Sequence, residues 1–401
     1  MAHVIGHQTT VSQADRVRQI LQCRELLTPA FIYDEDKLLD TARSARRAAD
    51  AASGQLLYSL KACSVRGVLE QIAEQVRGFS CSSLFESRLA RELAGDGRSV
   101  HYASPGLRAD ELGALAEVCD YVTFNSLGQW RRLKPQAAER VSCGLRINPQ
   151  LPFIEDDRYN PCRRHSKLGV PLEQLVAAVE AEPALLEGLR GLHFHTNCDC
   201  DSFAPLLKTV RHIDEHLSGL LGRLEWVNLG GGYLFGKARD LDAFHEAVGL
   251  PRREYGLEVF VEPGAAIVRE AGYIASSVLD IFDSGGKTVA VLDTAVNHMA
   301  EVFEYQYRHS VAGDVTDGKD RYVLAGCTCL AGDLFGEYAF QEPLEVGARV
   351  VFTEAGAYTT VKWNHFNGVN LPAIYALTGL GRLVLKKRFT YQDFAARCGA
   401  D

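Results

Sequence analysis

"LLYSLKACSVRGVLEQIAEQV" (residues 56–76) reads as a short buried strand running into an amphipathic helix. A strand followed closely by a helix is the βα unit from which parallel sheets are built. The apolar run Leu56–Leu60 delivers a lysine, Lys61, to its far end. A lysine in that place is either a solvated stop signal or a reagent, and the surrounding chain decides between them.

The same texture repeats outward from this unit. Upstream, "PAFIYD" precedes the helical "EDKLLDTARSARRAADAA". Downstream, "GFSCSS", "SVHYAS", "YVTFNS", "VSCGLRIN", "LRGLHFHT", "LEWVNLGG" and "EVFVEPG" read as strands, most of them followed by helical stretches. Such alternation predicts a parallel sheet, and residues 29–265 suit the eight units of a (β/α)8 TIM-type barrel better than a doubly wound sheet. After residue 266 the pattern changes. "GYIASSVLDIFDSGGKTVAVLD", "RYVLAGCTCLAGDLF" and "GARVVFTEAGAYTTV" alternate with turn glycines and predict an antiparallel β-domain over 266–401. Residues 1–28, with one helical stretch in "VSQADRVRQILQC", are assigned to that domain as an extension.

Composition narrows the class. The chain has 401 residues, 47% of them hydrophobic, which is a globular composition. A net charge of −8 argues against nucleic acid or an anionic membrane as partner and suits a cationic small molecule. No apolar leader and no stretch long enough to span a bilayer is visible. The eleven scattered cysteines suggest reduced thiols and a cytoplasmic setting.

In a βα barrel the C-terminal strand ends build the active site. Reading along that rim gives Lys61, Ser80, Cys81, Ser104, Asn125, Arg146, Asn148, His195, Asn197, Gly230, Gly231, Gly232 and Glu262. One amine, one guanidinium, one imidazole, one carboxylate and a glycine triplet on one face favour the reagent reading of Lys61. The triplet in "NLGGGYLF" lets backbone N–H groups meet an anion such as a phosphate, although a tight turn has the same sequence. It is neither a dinucleotide fingerprint nor a Walker loop. "HFHTNCDCD" (193–201) invites a metal, but its spacing does not match tetrahedral zinc sites, and no metal is expected there. The simpler reading turns His195 toward the site and His193 into the barrel wall or interior.

Taken in order, "YSLKAC", "LRINP", "HSKLGV", "LHFHTNC", "LGGGY", "VEPG", "GCTCLAGD" and "GAYTTVKWNHFNG" resemble the alanine-racemase-like (fold type III) pyridoxal-phosphate decarboxylases. "CLAGD" and the "VKWNHFNG" ending are particularly similar to the carboxynorspermidine/carboxyspermidine decarboxylases. The resemblance implies a barrel plus β-domain, pyridoxal 5'-phosphate (PLP) as cofactor, and a head-to-tail homodimer with active sites at the subunit interface. Lys61 would bind the aldehyde of PLP, His195 would stack on its ring, and Glu262 would pair with its ring nitrogen. The phosphate would lie on Gly230, Gly231, Gly232 and Tyr358, while Arg146 and Glu86 would give support. The partner subunit's Cys329 would protonate the α-carbon, and the partner subunit's Asp333 would meet the distal amine. The segment "DTAVNHMAEVFEYQY" (293–307), with Asp293, His298 and Glu301, is expected along the substrate's distal end. The implied activity is decarboxylation of a basic α-amino acid in polyamine biosynthesis. A decarboxylase of another amine-bearing amino acid, or a racemase on the same scaffold, is the alternative. Two departures stand out: Ala265 follows the E-P-G turn where relatives place an arginine, and Ser80 stands where several carry an aspartate.

Overall fold

A computed structural model describes residues 11–137 and 140–400. The chain divides into two compact units, one spanning Leu39–Val268 and the other made of the segments on either side of it.

The first unit is a closed parallel barrel. Its strands are Gln55–Ser59, Gly78–Cys81, Ser99–Ala103, Tyr121–Phe124, Ser142–Asn148, Gly191–His193, Trp226–Asn228 and Glu258–Val261. Each pairs in parallel with the next, and the last pairs with the first, so no sheet edge remains open. Strands buried on both faces must be apolar throughout, which is why Leu56, Leu57 and Tyr58 sit in one uninterrupted run. Aromatic rings fill the barrel: His101 stacks on Tyr121 with centroids 4.1 Å apart, and Phe260 meets both edge-on. The Trp226 indole lies against Gly144 and Gly191, where a Cβ would fall 2.3 and 2.1 Å from ring atoms. The chemistry is therefore left to the opposite rim, where the strands end.

The second unit is a mostly antiparallel sheet. Its order runs Leu334–Phe340, Asp320–Ala325, Lys287–Leu292, Gly272–Ser284, Ala30–Asp34, Ala373–Leu377, Leu383–Lys387, with Arg349–Phe352 also paired to Gly272–Ser284. Two of its pairings are parallel: Ala30–Asp34 with Ala373–Leu377, and Lys287–Leu292 with Asp320–Ala325. The helix Gln13–Gln22 packs Val17 and Ile20 against Ile32, Tyr273 and Tyr375, and its buried Arg16 pairs with Asp34 at 2.9 Å. The strand in "PAFIYD" thus belongs to this sheet, although the alternation of the sequence counts it with the barrel units. A strand's own residues specify that it is buried, but not which distant strand it joins.

Candidate active site

The strand that leads to Lys61 ends one residue earlier than its apolar run. Gln55–Ser59 is extended, and Leu60–Ala62 forms a single 3₁₀ turn that carries Lys61. The turn is fixed from both sides. The Ser59 amide donates to the Pro263 carbonyl at 3.1 Å, and the Tyr58 hydroxyl donates to the Cys63 carbonyl at 2.9 Å. Lys61 still meets solvent at the open mouth. Enclosure by the mouth lowers its pKa, Glu262 opposes the shift, and Arg146 adds to it.

Glu262 follows the eighth strand and is 6% exposed. One carboxylate oxygen accepts from Asn228 Nδ2 at 3.0 Å, and the other lies 3.3 Å from His193 Nε2. Burial disfavours its ionisation, but His193, Lys61 and His195 outweigh it, and the carboxyl is held well below its ordinary value. Burial lowers the pKa of His193, and Glu262 opposes that shift. An anionic Glu262 braced by Asn228 and His193 is the electrostatic centre of the rim.

His195 lies past the end of the sixth strand, and the Gly231 amide donates to its Nδ1 at 3.1 Å. A ring nitrogen that accepts carries no proton, so the imidazole is neutral with its hydrogen on Nε2. Its depressed pKa, from burial and from Lys61 and Arg146, agrees. The glycine triplet is dictated by crowding: a Cβ on Gly231 would fall 2.4 Å from the Glu262 carbonyl oxygen, and one on Gly232 2.0 Å from that of Asn197. Gly230 donates to Asn228 Oδ1 at 2.9 Å and Gly231 to His195. Among the described residues, only the Gly232 amide of the three retains its hydrogen for a ligand.

Arg146 points from the fifth strand with its buried Nε unpartnered among the described residues. Glu86 accepts from the Ser82 amide at 2.7 Å, and burial raises its pKa against the pull of Lys61. Asn125 and Asn148, also read from the strand ends, are structural. Asn125 clasps the backbone of Lys167 and Gly169, and Asn148 accepts from the Gln150 amide.

In the second unit, Cys329 is exposed on a loop whose rigidity has two sources. Its amide donates to Asn367 Oδ1 at 2.8 Å. Below it, buried Asp333 accepts from the Val296 amide at 2.8 Å and from the Thr328 amide and hydroxyl at 2.9 and 2.5 Å. The carboxylate expected at a substrate amine is thus engaged inside its own domain. His298 differs from expectation too: it is fully buried, bonded to Thr294 Oγ1 at 3.0 Å, and held neutral with a pKa pushed down to about 4. Asp293 accepts from Ser276 Oγ and the Ser277 amide. Glu301 lies 3.6 Å and Glu304 2.6 Å from Lys362 Nζ, which also sits over the rings of Tyr305 and Tyr358. His193, Asn228 and Asn367 are the functional-site residues that strand-end reading missed. The two-residue spacing of His193 and His195 and the strand-end position of Asn228 were the available signals.

The barrel rim fits pyridoxal phosphate. It offers an amine for the aldehyde, an anion for the ring nitrogen, a neutral imidazole for the ring face, and an unused guanidinium nitrogen and amide for the anionic group. Residues 36–272 match the family model described as "pyridoxal-dependent decarboxylase, pyridoxal binding domain". The chain belongs to the pyridoxal-dependent decarboxylases. Over 380 residues it is 36% identical to carboxyaminopropylagmatine decarboxylase of Synechocystis sp., covering 93% of this chain and 96% of the relative. It is 31% identical to carboxynorspermidine/carboxyspermidine decarboxylase of Campylobacter jejuni over 390 residues, 93% of this chain and 99% of the relative. The crystal structure of carboxynorspermidine decarboxylase complexed with norspermidine from Campylobacter jejuni superposes with a TM-score of 0.83 at 30% identity, covering 93% of this chain and all of that one. The decarboxylase uses pyridoxal phosphate, as its family does, and no helix among its described residues is long and apolar enough to cross a membrane.

Proposed function

We propose that the enzyme decarboxylates carboxynorspermidine or carboxyspermidine, giving norspermidine or spermidine and CO2. The observation that carries this reading is likeness in both sequence and fold to carboxynorspermidine decarboxylase, whose crystal structure superposes with a TM-score of 0.83. Whole-length identity is 31% to two carboxynorspermidine/carboxyspermidine decarboxylases but 23–24% to diaminopimelate decarboxylases. Glu301 and Glu304 already hold an ammonium group, that of Lys362, beside the ring of Tyr305, and a distal substrate ammonium would share or displace it. Glu301 therefore carries the substrate role in this proposal, and buried His298 does not.

Bound pyridoxal phosphate supplies the electron sink for the charge left on the α-carbon when CO2 departs. Lys61 would anchor the cofactor aldehyde, and its lowered pKa favours the nucleophilic free amine. Glu262 holds a proton on the ring nitrogen, and Asn228 and His193 keep its carboxylate aimed. Neutral His195 would pack on the ring face, while Arg146 and the Gly232 amide would serve the phosphate. The thiol of the partner subunit's Cys329 gives its proton to the α-carbon, in a head-to-tail homodimer. Eleven free thiols suit a cytoplasmic enzyme.

A second reading, carboxyaminopropylagmatine as substrate, is favoured by the 36% identity to the Synechocystis enzyme. The deciding experiment offers the PLP-loaded enzyme carboxynorspermidine, carboxyspermidine, carboxyaminopropylagmatine and diaminopimelate, and measures CO2. Highest kcat/KM on the first two supports the proposal, and highest kcat/KM on either of the others replaces it.

A further inference from the structure

On the outside of the barrel, far along the chain from the rim residues of the fifth and eighth strands, the helix Ala204–Leu221 carries a second group of chemistry-bearing side chains. His212, Glu215 and His216 fall at positions i, i+3 and i+4, which share one helical face. One potential ligand atom from each lies within 4.8 Å of the others, and the two imidazoles stand 4.5 Å apart at 56°. His212 is half-buried, while Glu215 and His216 are exposed, so an ion and its water reach the site freely.

The second observation concerns how one ring is held. His216 Nδ1 lies 2.8 Å from the carbonyl oxygen of His212, and a carbonyl only accepts, so Nδ1 carries the hydrogen. The His216 imidazole thus has one nitrogen fixed as a donor to backbone and the other left as a lone pair. That is the arrangement in which metal-binding histidines are held, with the outer hydrogen bond setting tautomer and ring direction. Neither histidine has a role in the barrel mouth, so the reaction does not account for them.

We propose that His212, Glu215 and His216 form a surface site for a borderline divalent cation, Zn2+ in particular, on the outer helix of the barrel. Two imidazoles, one carboxylate and a water complete the four-coordinate shell that zinc favours. A ring nitrogen bonds Zn2+ at about 2.0–2.1 Å. Mg2+ and Ca2+ prefer all-oxygen shells and are not expected to compete.

The test is a calorimetric titration of Zn2+ into the PLP-loaded enzyme with millimolar Mg2+ present, repeated on His212→Ala, His216→Ala and a Cys329→Ser/Cys398→Ser double variant. The cysteine variant is included because Cys329 and Cys398 are exposed thiols. One Zn2+ equivalent is expected in the parent and the cysteine variant, weakened at least tenfold in each histidine variant. Circular dichroism on the same samples checks that the exposed substitutions leave the fold intact. Unchanged affinity in either histidine variant, loss confined to the cysteine variant, or no binding by the parent would each overturn the proposal.

Discussion

Asp333 offers a direct trial of the reasoning, because its two readings predict opposite behaviour. Its carboxylate is 3% exposed and takes three donors: the Val296 amide, the Thr328 amide and the Thr328 hydroxyl. Asp333→Ala strands all three, and a buried donor left without a partner costs about 1–3 kcal/mol. Water reaches the partly exposed Thr328 and recovers some of this, which leaves a net loss of about 3–4 kcal/mol. Asp333→Asn keeps the shape and one acceptor oxygen, so the loss falls to about 1–2 kcal/mol. The Cys329 loop is tied to the same carboxylate through Thr328, so both variants lower kcat with little change in KM. Urea unfolding of the PLP-loaded enzyme gives the stability order, and steady-state CO2 release gives kcat and KM. If Asp333→Asn unfolds at the parent's urea midpoint but raises KM tenfold, the carboxylate meets the substrate amine and the bracing role is wrong.

Three further expectations follow from the rim and the core. Glu262→Gln removes the anion that Asn228 and His193 brace, and kcat drops on the order of 10²–10³-fold, the effect of deleting one preorganised electrostatic partner; stopped-flow or steady-state kinetics measures it, and a change under fivefold contradicts the assignment. Mixing Lys61→Ala and Cys329→Ala homodimers after dissociation regains about a quarter of parent activity if each site draws on both subunits, since half the reassembled dimers then hold one intact site; no recovery rules out the shared site. Acid lability is the third. His298 and His309, both pushed down to about 4 by burial, are neutral in the fold but titrate near 6.5 when unfolded. The unfolded chain therefore binds more protons as pH falls below 6.5, and stability declines until the folded values near 4 are passed. At pH 5 each histidine takes away about 2 kcal/mol, so the urea midpoint should fall steeply between pH 6.5 and 5, and less so in His298→Gln.

Much of this was written in local sequence. The βα rhythm and the residues at the strand ends locate Lys61, Arg146, His195 and Glu262 at one rim, because a period-2 strand and a following helix leave little choice of which end faces the loops. What local pattern does not carry is pairing. Ala30–Asp34 has the same apolar texture as a barrel strand, and only its non-local partners, Ala275 and Ala373 among them, place it in the other sheet. Side-chain commitments were hidden for the same reason. Nothing in "GCTCLAGD" tells that Asp333 turns inward to Val296, and nothing in "LHFHT" tells that His193 faces Glu262. His298 shows the converse case, where a polar residue in a segment of functional texture is taken into the core.

The parallel pairing of Ala30–Asp34 with Ala373–Leu377 also sets an order of events during synthesis. The barrel's strands lie together within Leu39–Val268, so all of its pairings are available once that stretch has left the ribosome. The strand Ala30–Asp34 emerges before any of them, and its neighbour Ala373–Leu377 emerges only after the barrel and the strand Gly272–Ser284. Until then it exposes an apolar edge able to pair with another chain. Chaperone dependence and aggregation in this enzyme should therefore track Ala30–Asp34, and a charged substitution at Phe31 that harms the folded sheet would ease the nascent one.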